Sequence, residues 1–282
     1  MSAAVSIALT ACQKEIRQEI SVKEESLSES ENVWVPENGD DQGLALRGGH
    51  RQECNTFYGP AVKMGNRHVR SWINISKKDK RPLALGIEFA PGSLQNLPTD
   101  PTDFAASTFI LPLHEKAREL TPFDHITINW EPEGHEPPGV YDVPHFDIHF
   151  YKISVVEQLA VTGVPGLPPA GGFLPASYVI QGATVPQMGT HWLDPAFPEL
   201  QPPPNHSPFT HTLIYGSDNG KVIFLEPMIT RDFILSGDFV RKSYPQPAQF
   251  SPAGTFYPTV YKIWKSWENR RHYVALTNFA WR

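Results

Sequence analysis

From about Asn55 onward, apolar and polar positions alternate in short stretches. Val69, Ser71, Ile73 and Ile75 interleave with Arg70, Trp72 and Asn74. After a polar turn at Lys77–Pro82, Leu83, Leu85, Ile87 and Phe89 repeat the pattern. A period of two is that of a strand with one buried face, and two such runs around a polar turn predict a hairpin. Further strands are predicted at Ile126–Trp130, His145–Ile153, Tyr178–Gln181, Thr259–Trp264 and His272–Phe279. Thr212–Tyr215 and Val222–Glu226 form a second hairpin around Asn219-Gly220, a dipeptide that favours a type I′ turn. Helical periodicity is scarce: Leu113 to Leu120, and one turn at Ser93–Leu97 ended by Pro98. The expectation is a mostly β fold, an antiparallel barrel or sandwich with long Pro/Gly-rich loops and one or two short helices. It occupies residues 55–282 as a single domain. The 28 prolines support stiff loops over helices.

Charge separates the N-terminal stretch from this body. Between Gln13 and Gln42 three basic residues face nine acidic ones, which accounts for the whole net charge of −6. The neutral body has no electrostatic footprint for nucleic acid, which is excluded as an expected partner. Residues 1–12 end in Leu9-Thr10-Ala11-Cys12 after a short apolar run, a pattern that resembles a bacterial lipobox with Cys12 as the lipidated residue. No Lys or Arg precedes the run, which leaves a start upstream of Met1 open. Residues 13–54 then read as an acidic flexible tether. The expected setting is the bacterial cell envelope, outside the cytoplasm, with the membrane as partner through the lipid. Cys54 would then have no intrachain disulfide partner.

Candidate chemistry concentrates in the histidines, eight of the eleven lying between His114 and His211. In Pro144-His145-Phe146-Asp147-Ile148-His149-Phe150-Tyr151 the alternation sends the apolar residues one way and His145, Asp147, His149 and Tyr151 the other. Imidazole nitrogen and carboxylate oxygen are the usual donors to zinc, iron or manganese. His145 and His149 are four residues apart, about 13 Å on an ideal strand, near the limit for sharing one ion. A same-face neighbour pair with Asp147 is expected instead, completed from elsewhere by His191, beside Gly189-Thr190. Glu226 in its apolar strand and His135 in its Gly/Pro loop are the other candidates. The alternatives are a metal-free polar network and a pH-sensitive structural cluster. Tyr141 and Tyr151 read as packing residues, and Trp130 and Trp192 as exposed.

There is no Walker A, G-x-G-x-x-G, C-x-x-C, C-x-x-C-H or G-x-S-x-G run, so neither nucleotide, haem nor an elbow serine is expected. The runs Gly59-Pro60-Ala61-Val62, Gly134-His135-x-Pro137-x-x-x-Tyr141, Pro144-His145-Phe146-Asp147-x-His149-Phe150-Tyr151, Met188-Gly189-x-His191 and Phe224-Leu225-Glu226-Pro227-Met228 carry a resemblance over residues 55–235. They resemble a family of bacterial exported proteins labelled after a hypothetical protein of Thermus. The resemblance implies one domain with a polar centre and no assigned activity. Two functions follow. One is a mononuclear metalloprotein of the envelope, a hydrolase or an oxygenase, whose ligand set would be two histidines with a carboxylate for iron or three histidines for zinc. The other is a non-catalytic envelope protein that binds a small ligand or partner, or fixes its own loops.

Overall fold

The computed structural model describes Val33, Val35, Pro36 and residues 53–282. Cys12 and nearly all of the acidic stretch lie outside the described residues. Two seven-stranded antiparallel sheets stack as a sandwich, and neither closes into a barrel. The first comprises β1 (Cys54–Tyr58), β2 (Val62–Met64), β3 (Arg67–Ser76), β4 (Pro82–Phe89), β12 (Val240–Ser243), β14 (Val260–Lys265) and β15 (His272–Thr277). Its order is β1-β3-β4-β15-β14-β12, with β2 on β3. The second comprises β5 (Thr108–Pro112), β6 (His125–Glu131), β7 (His145–Tyr151), β8 (Val179–Val185), β9 (Gly189–Leu193), β10 (His211–Asp218) and β11 (Lys221–Thr230). Here the order is β5-β6-β7-β11-β10-β9-β8. A small pair, β13 (Phe256–Tyr257) and β16 (Ala280–Trp281), completes the strands.

Both expected hairpins form, β3–β4 and β10–β11. Asn219 and Gly220 turn the second with φ of 44° and 79°, the double positive φ of a type I′ turn. Among the described residues four short helices appear where one or two were expected: α1 (Phe104–Ser107), α2 (Glu115–Leu120), α3 (Val155–Leu159) and α4 (Arg231–Ser236). Each starts at a side chain that accepts from a backbone N–H, Asp103, His114, Ser154 and Thr230 in turn. Caps of this kind hold single turns that hydrophobic periodicity does not reveal. Among the described residues no helix is long and apolar enough to cross a membrane.

The core lies between the sheets. Val69, Ile73, Leu85, Ile87 and Phe89 from the first meet Ile126, Ile128, Phe146, Ile148, Phe150 and Ile229 from the second. Trp130 belongs there too: it is buried, packs on Phe146 at 4.7 Å, and donates from Nε1 to the Pro98 carbonyl at 2.8 Å. The expectation of an exposed Trp130 is therefore corrected, and Trp192 is half-buried with Nε1 on Ser217 Oγ.

The outer faces are covered as well. On the first sheet Val33 packs on Trp72, Ala84, Trp264, Tyr273 and Ala275. Asn74 donates to the Val33 carbonyl at 2.7 Å and Lys262 to that of Pro36 at 2.7 Å. Thus three residues from within the span expected to be tether lie on the sheet, and the ordered strand begins at Cys54, a buried free thiol. On the second sheet the cover is made of loops, and beneath them lies the polar row of β7.

Candidate metal centre

β7 is an interior strand of its sheet, between β6 and β11, with all seven residues buried. Its inward side chains, Phe146, Ile148 and Phe150, belong to the core, so period-two geometry sends His145, Asp147, His149 and Tyr151 to the outer face. Registration supplies the neighbours. On β6, Glu131 pairs with His145, Asn129 with Asp147, and Thr127 with His149. On β11, Leu225 pairs with Phe150 and Met228 with Asp147, which sets Glu226 beside His149. His191 comes from β9, two strands further. Its β10 partner is Gly216, whose lack of a side chain makes room for the Phe224 ring that packs against His191 at 5.5 Å.

The six candidate ligands come together as two separate groups: His135, His145 and Asp147, and His149, His191 and Glu226. The expected single set is thereby divided. Asp147 pairs with His145 and not with His149, and the span of four residues between the two histidines puts them in different groups.

In the first group His145 Nε2 lies 3.1 Å from Asp147 Oδ1, and His135 Nε2 lies 3.4 Å from Asp147 Oδ2. The far nitrogens fix the tautomers. His145 Nδ1 donates to the Val143 carbonyl at 2.6 Å and His135 Nδ1 to that of Glu136 at 2.7 Å. A carbonyl only accepts, so Nδ1 of each ring carries a proton and Nε2 faces Asp147, as a lone pair when the ring is neutral and as a donor in His135 below about pH 9. Backbone-anchored Nδ1 with free Nε2 is the way proteins orient metal-binding imidazoles. Gly134, at φ of 76°, places the His135 loop: a Cβ there would strike the Tyr141 carbonyl oxygen. That same carbonyl accepts from the His135 N–H at 3.1 Å.

In the second group a single oxygen, Glu226 Oε2, lies 3.4 Å from His149 Nε2 and 3.6 Å from His191 Nε2. Two donors on a tetrahedral zinc at 2.0–2.1 Å are about 3.3 Å apart, and both groups show separations close to that. His149, fully buried, is walled by Phe224 at 4.7 Å and Tyr151 at 5.4 Å.

Four ligand atoms are buried with no hydrogen-bond partner in good geometry: His145 Nε2, Asp147 Oδ1, His149 Nε2 and Glu226 Oε2. His149 Nδ1, the Asn129 carbonyl oxygen and the Tyr141 hydroxyl share that condition. Tyr141 packs edge-on against Phe209 at 4.8 Å, with its hydroxyl near Glu199. Three other histidines have structural partners. His114 caps α2, His125 donates to Gln158 at 2.7 Å, and His211 bonds the Tyr261 hydroxyl at 2.8 Å.

Titration follows the same division. Burial works against a charge on Asp147, but His145 and His135 outweigh it and hold the carboxyl well below its ordinary value. Burial also opposes a charge on His135, where Asp147 prevails and raises it to about 9. In the second group burial dominates. His149 falls to about 3 and His191 to about 4, while burial, then Asp147 and Glu131, push Glu226 well above the carboxylate range. Glu131, which sequence reasoning passed over, is raised to about 7 by burial and then by Asp147. Its position opposite His145 was the available signal.

A second feature lies apart from these groups. A cavity of about 340 Å³ is walled by Phe123, Tyr215, Leu225, Tyr244 and Phe250, with the amines of Lys152 and Lys221 at its lining. Lys152 donates to the Ser251 carbonyl at 3.1 Å, and burial lowers its pKa to about 7. No protein-family model, no curated protein and no solved structure matches the chain.

Proposed function

We propose that the protein is a metal-binding protein whose working part is a divalent ion held on the outer face of the second sheet. One observation carries this reading: the four buried ligand atoms without partners, two nitrogens and two carboxylate oxygens facing one another. Leaving a buried polar group unpaired costs about 1–3 kcal/mol, more for a charged one. A cation compensates nitrogen lone pairs and carboxylate charge together. The donor set holds imidazole and carboxylate without thiolate, a set that suits zinc, iron or manganese. Two histidines and one carboxylate leave coordination positions open, as an ion that activates water or polarises a substrate requires. Glu131 stands across from His145 on β6, where it could exchange a proton with bound water. That placement favours hydrolysis over oxygen chemistry. Elemental analysis of the full chain, purified without chelator or immobilised metal, should find at least one equivalent of zinc, iron or manganese. No metal, even after incubation with each ion, would reject the reading.

The cavity favours a second reading, a site for a small organic anion. Its aromatic walls suit a ring or short acyl chain, and Lys152, with only one of its three donors spent on Ser251, suits a carboxylate. Calorimetry with 3-phenylpropanoate should detect binding that Lys152→Met weakens at least tenfold without changing metal content. Binding undiminished in that variant, or none at millimolar ligand, would remove this site.

A further inference from the structure

We propose that the chamber on the second sheet holds two ions, one on His135, His145 and Asp147 and the other on His149, His191 and Glu226. The inference rests on the metal-binding reading above and deepens it from one ion to two.

The two groups share no residue. Asp147 spends Oδ1 towards His145 and Oδ2 towards His135, so neither oxygen is turned to the second group. Glu226 presents the same Oε2 to both of its histidines. Each group is thus a complete set of two imidazoles and one carboxylate with its own centre. The two histidines of β7 stand apart: His145 and His149 are four residues apart, about 13 Å between Cα atoms and near the limit for sharing one ion, and they fall in different groups.

The decisive point is what one ion would leave behind. With the first group filled, His149 Nε2 and Glu226 Oε2 remain buried without partners; with the second filled, His145 Nε2 and Asp147 Oδ1 remain so. Two ions satisfy all four atoms at once. Charge agrees with this count. Two dications against Asp147, Glu226 and the neighbouring Glu131 leave one positive charge, a place for hydroxide or an anionic ligand at the open positions.

The sites differ in access. His135 has a side chain 40% exposed and comes from a loop, whereas His149 is fully buried and His191 is 14% exposed, both on strands. The first ion should therefore exchange with solvent faster than the second, and a chelator should remove the two in separate phases.

The test is zinc stoichiometry of the full chain after loading with zinc alone and removal of excess. Wild type should retain two equivalents, and His145→Ala and His149→Ala one each. Asp147→Asn and Glu226→Gln, which preserve side-chain shape, repeat the test where an alanine variant does not fold; each should also retain one. One equivalent in wild type would overturn the two-ion inference and keep the metal reading. Zero would overturn both. Loss of both ions in a folded Asp147→Asn or Glu226→Gln variant would overturn the independence of the two centres.

Discussion

On the first sheet Glu88 is as deeply buried as Glu226 is on the second, each about 1% exposed. Their surroundings differ in kind. Glu88 Oε1 lies 2.6 Å from Arg70 Nε and 3.3 Å from Arg271 Nη1, and Arg70 in turn stacks on Tyr58 at 3.7 Å. Glu226 faces two imidazoles that burial keeps neutral at physiological pH, His149 at about 3 and His191 at about 4. A guanidinium is always charged and answers a buried carboxylate directly. A neutral imidazole supplies no charge, only a lone pair. At Glu88 arginine neutralises the buried carboxylate, whereas the neutral histidines around Glu226 are suited to something that accepts lone pairs. Asp147 is intermediate, since His135 and His145 both lower its pKa, yet its Oδ1 still lacks a partner in good geometry.

The largest effect should come from the arginine side of this comparison. Glu88→Gln would leave two guanidinium groups without their counter-ion in a mostly buried site, at a cost of about 3 kcal/mol. Urea unfolding of the metal-stripped and metal-loaded variant should show the same loss in both, because nothing in the first sheet belongs to the chamber. A loss under about 1 kcal/mol would show that water reaches the arginines, and would weaken the contrast with Glu226.

Much of this contrast was written in the alternation. The strict period of β7 separates Phe146, Ile148 and Phe150 from His145, Asp147 and His149, because one side must enter the core and a one-residue slip would invert every side chain. The same rule places Trp130 inward with Ile126 and Ile128; reading its chemistry before its parity made it look exposed. The division into two groups was not legible. It depends on which β11 residue stands beside His149 and on which β10 residue pairs with His191, and strand registration between segments about 25 to 77 residues apart has no local signature. Edge strands were also hard to see. β12 carries exposed Arg241 and Lys242, which protect an edge and erase its apolar pattern. The choice between barrel and sandwich is likewise a matter of how sheets end, which alternation within a strand does not encode.

The smallest effect is the most discriminating. In metal-stripped protein Glu226→Gln should change stability by less than about 1 kcal/mol, because glutamine matches the shape of the protonated acid that burial favours there. The pH dependence should carry the sign of a raised carboxyl. Its contribution is fully present below the unfolded value near 4.5 and is lost as pH rises through the higher folded value. Stripped wild type should therefore weaken between pH 5 and pH 8 relative to Glu226→Gln, read from urea midpoints at the two pH values. Zinc should reverse the ranking at pH 8, since the ion stabilises the ionised carboxylate and glutamine offers it only a neutral oxygen. If Glu226→Gln instead cost stripped protein as much as Glu88→Gln costs, Glu226 would already be ionised and paired with a cationic group of the protein. The two sheets would then treat buried carboxylates alike, and the lone pairs of His149 and His191 would lose their claim on a metal.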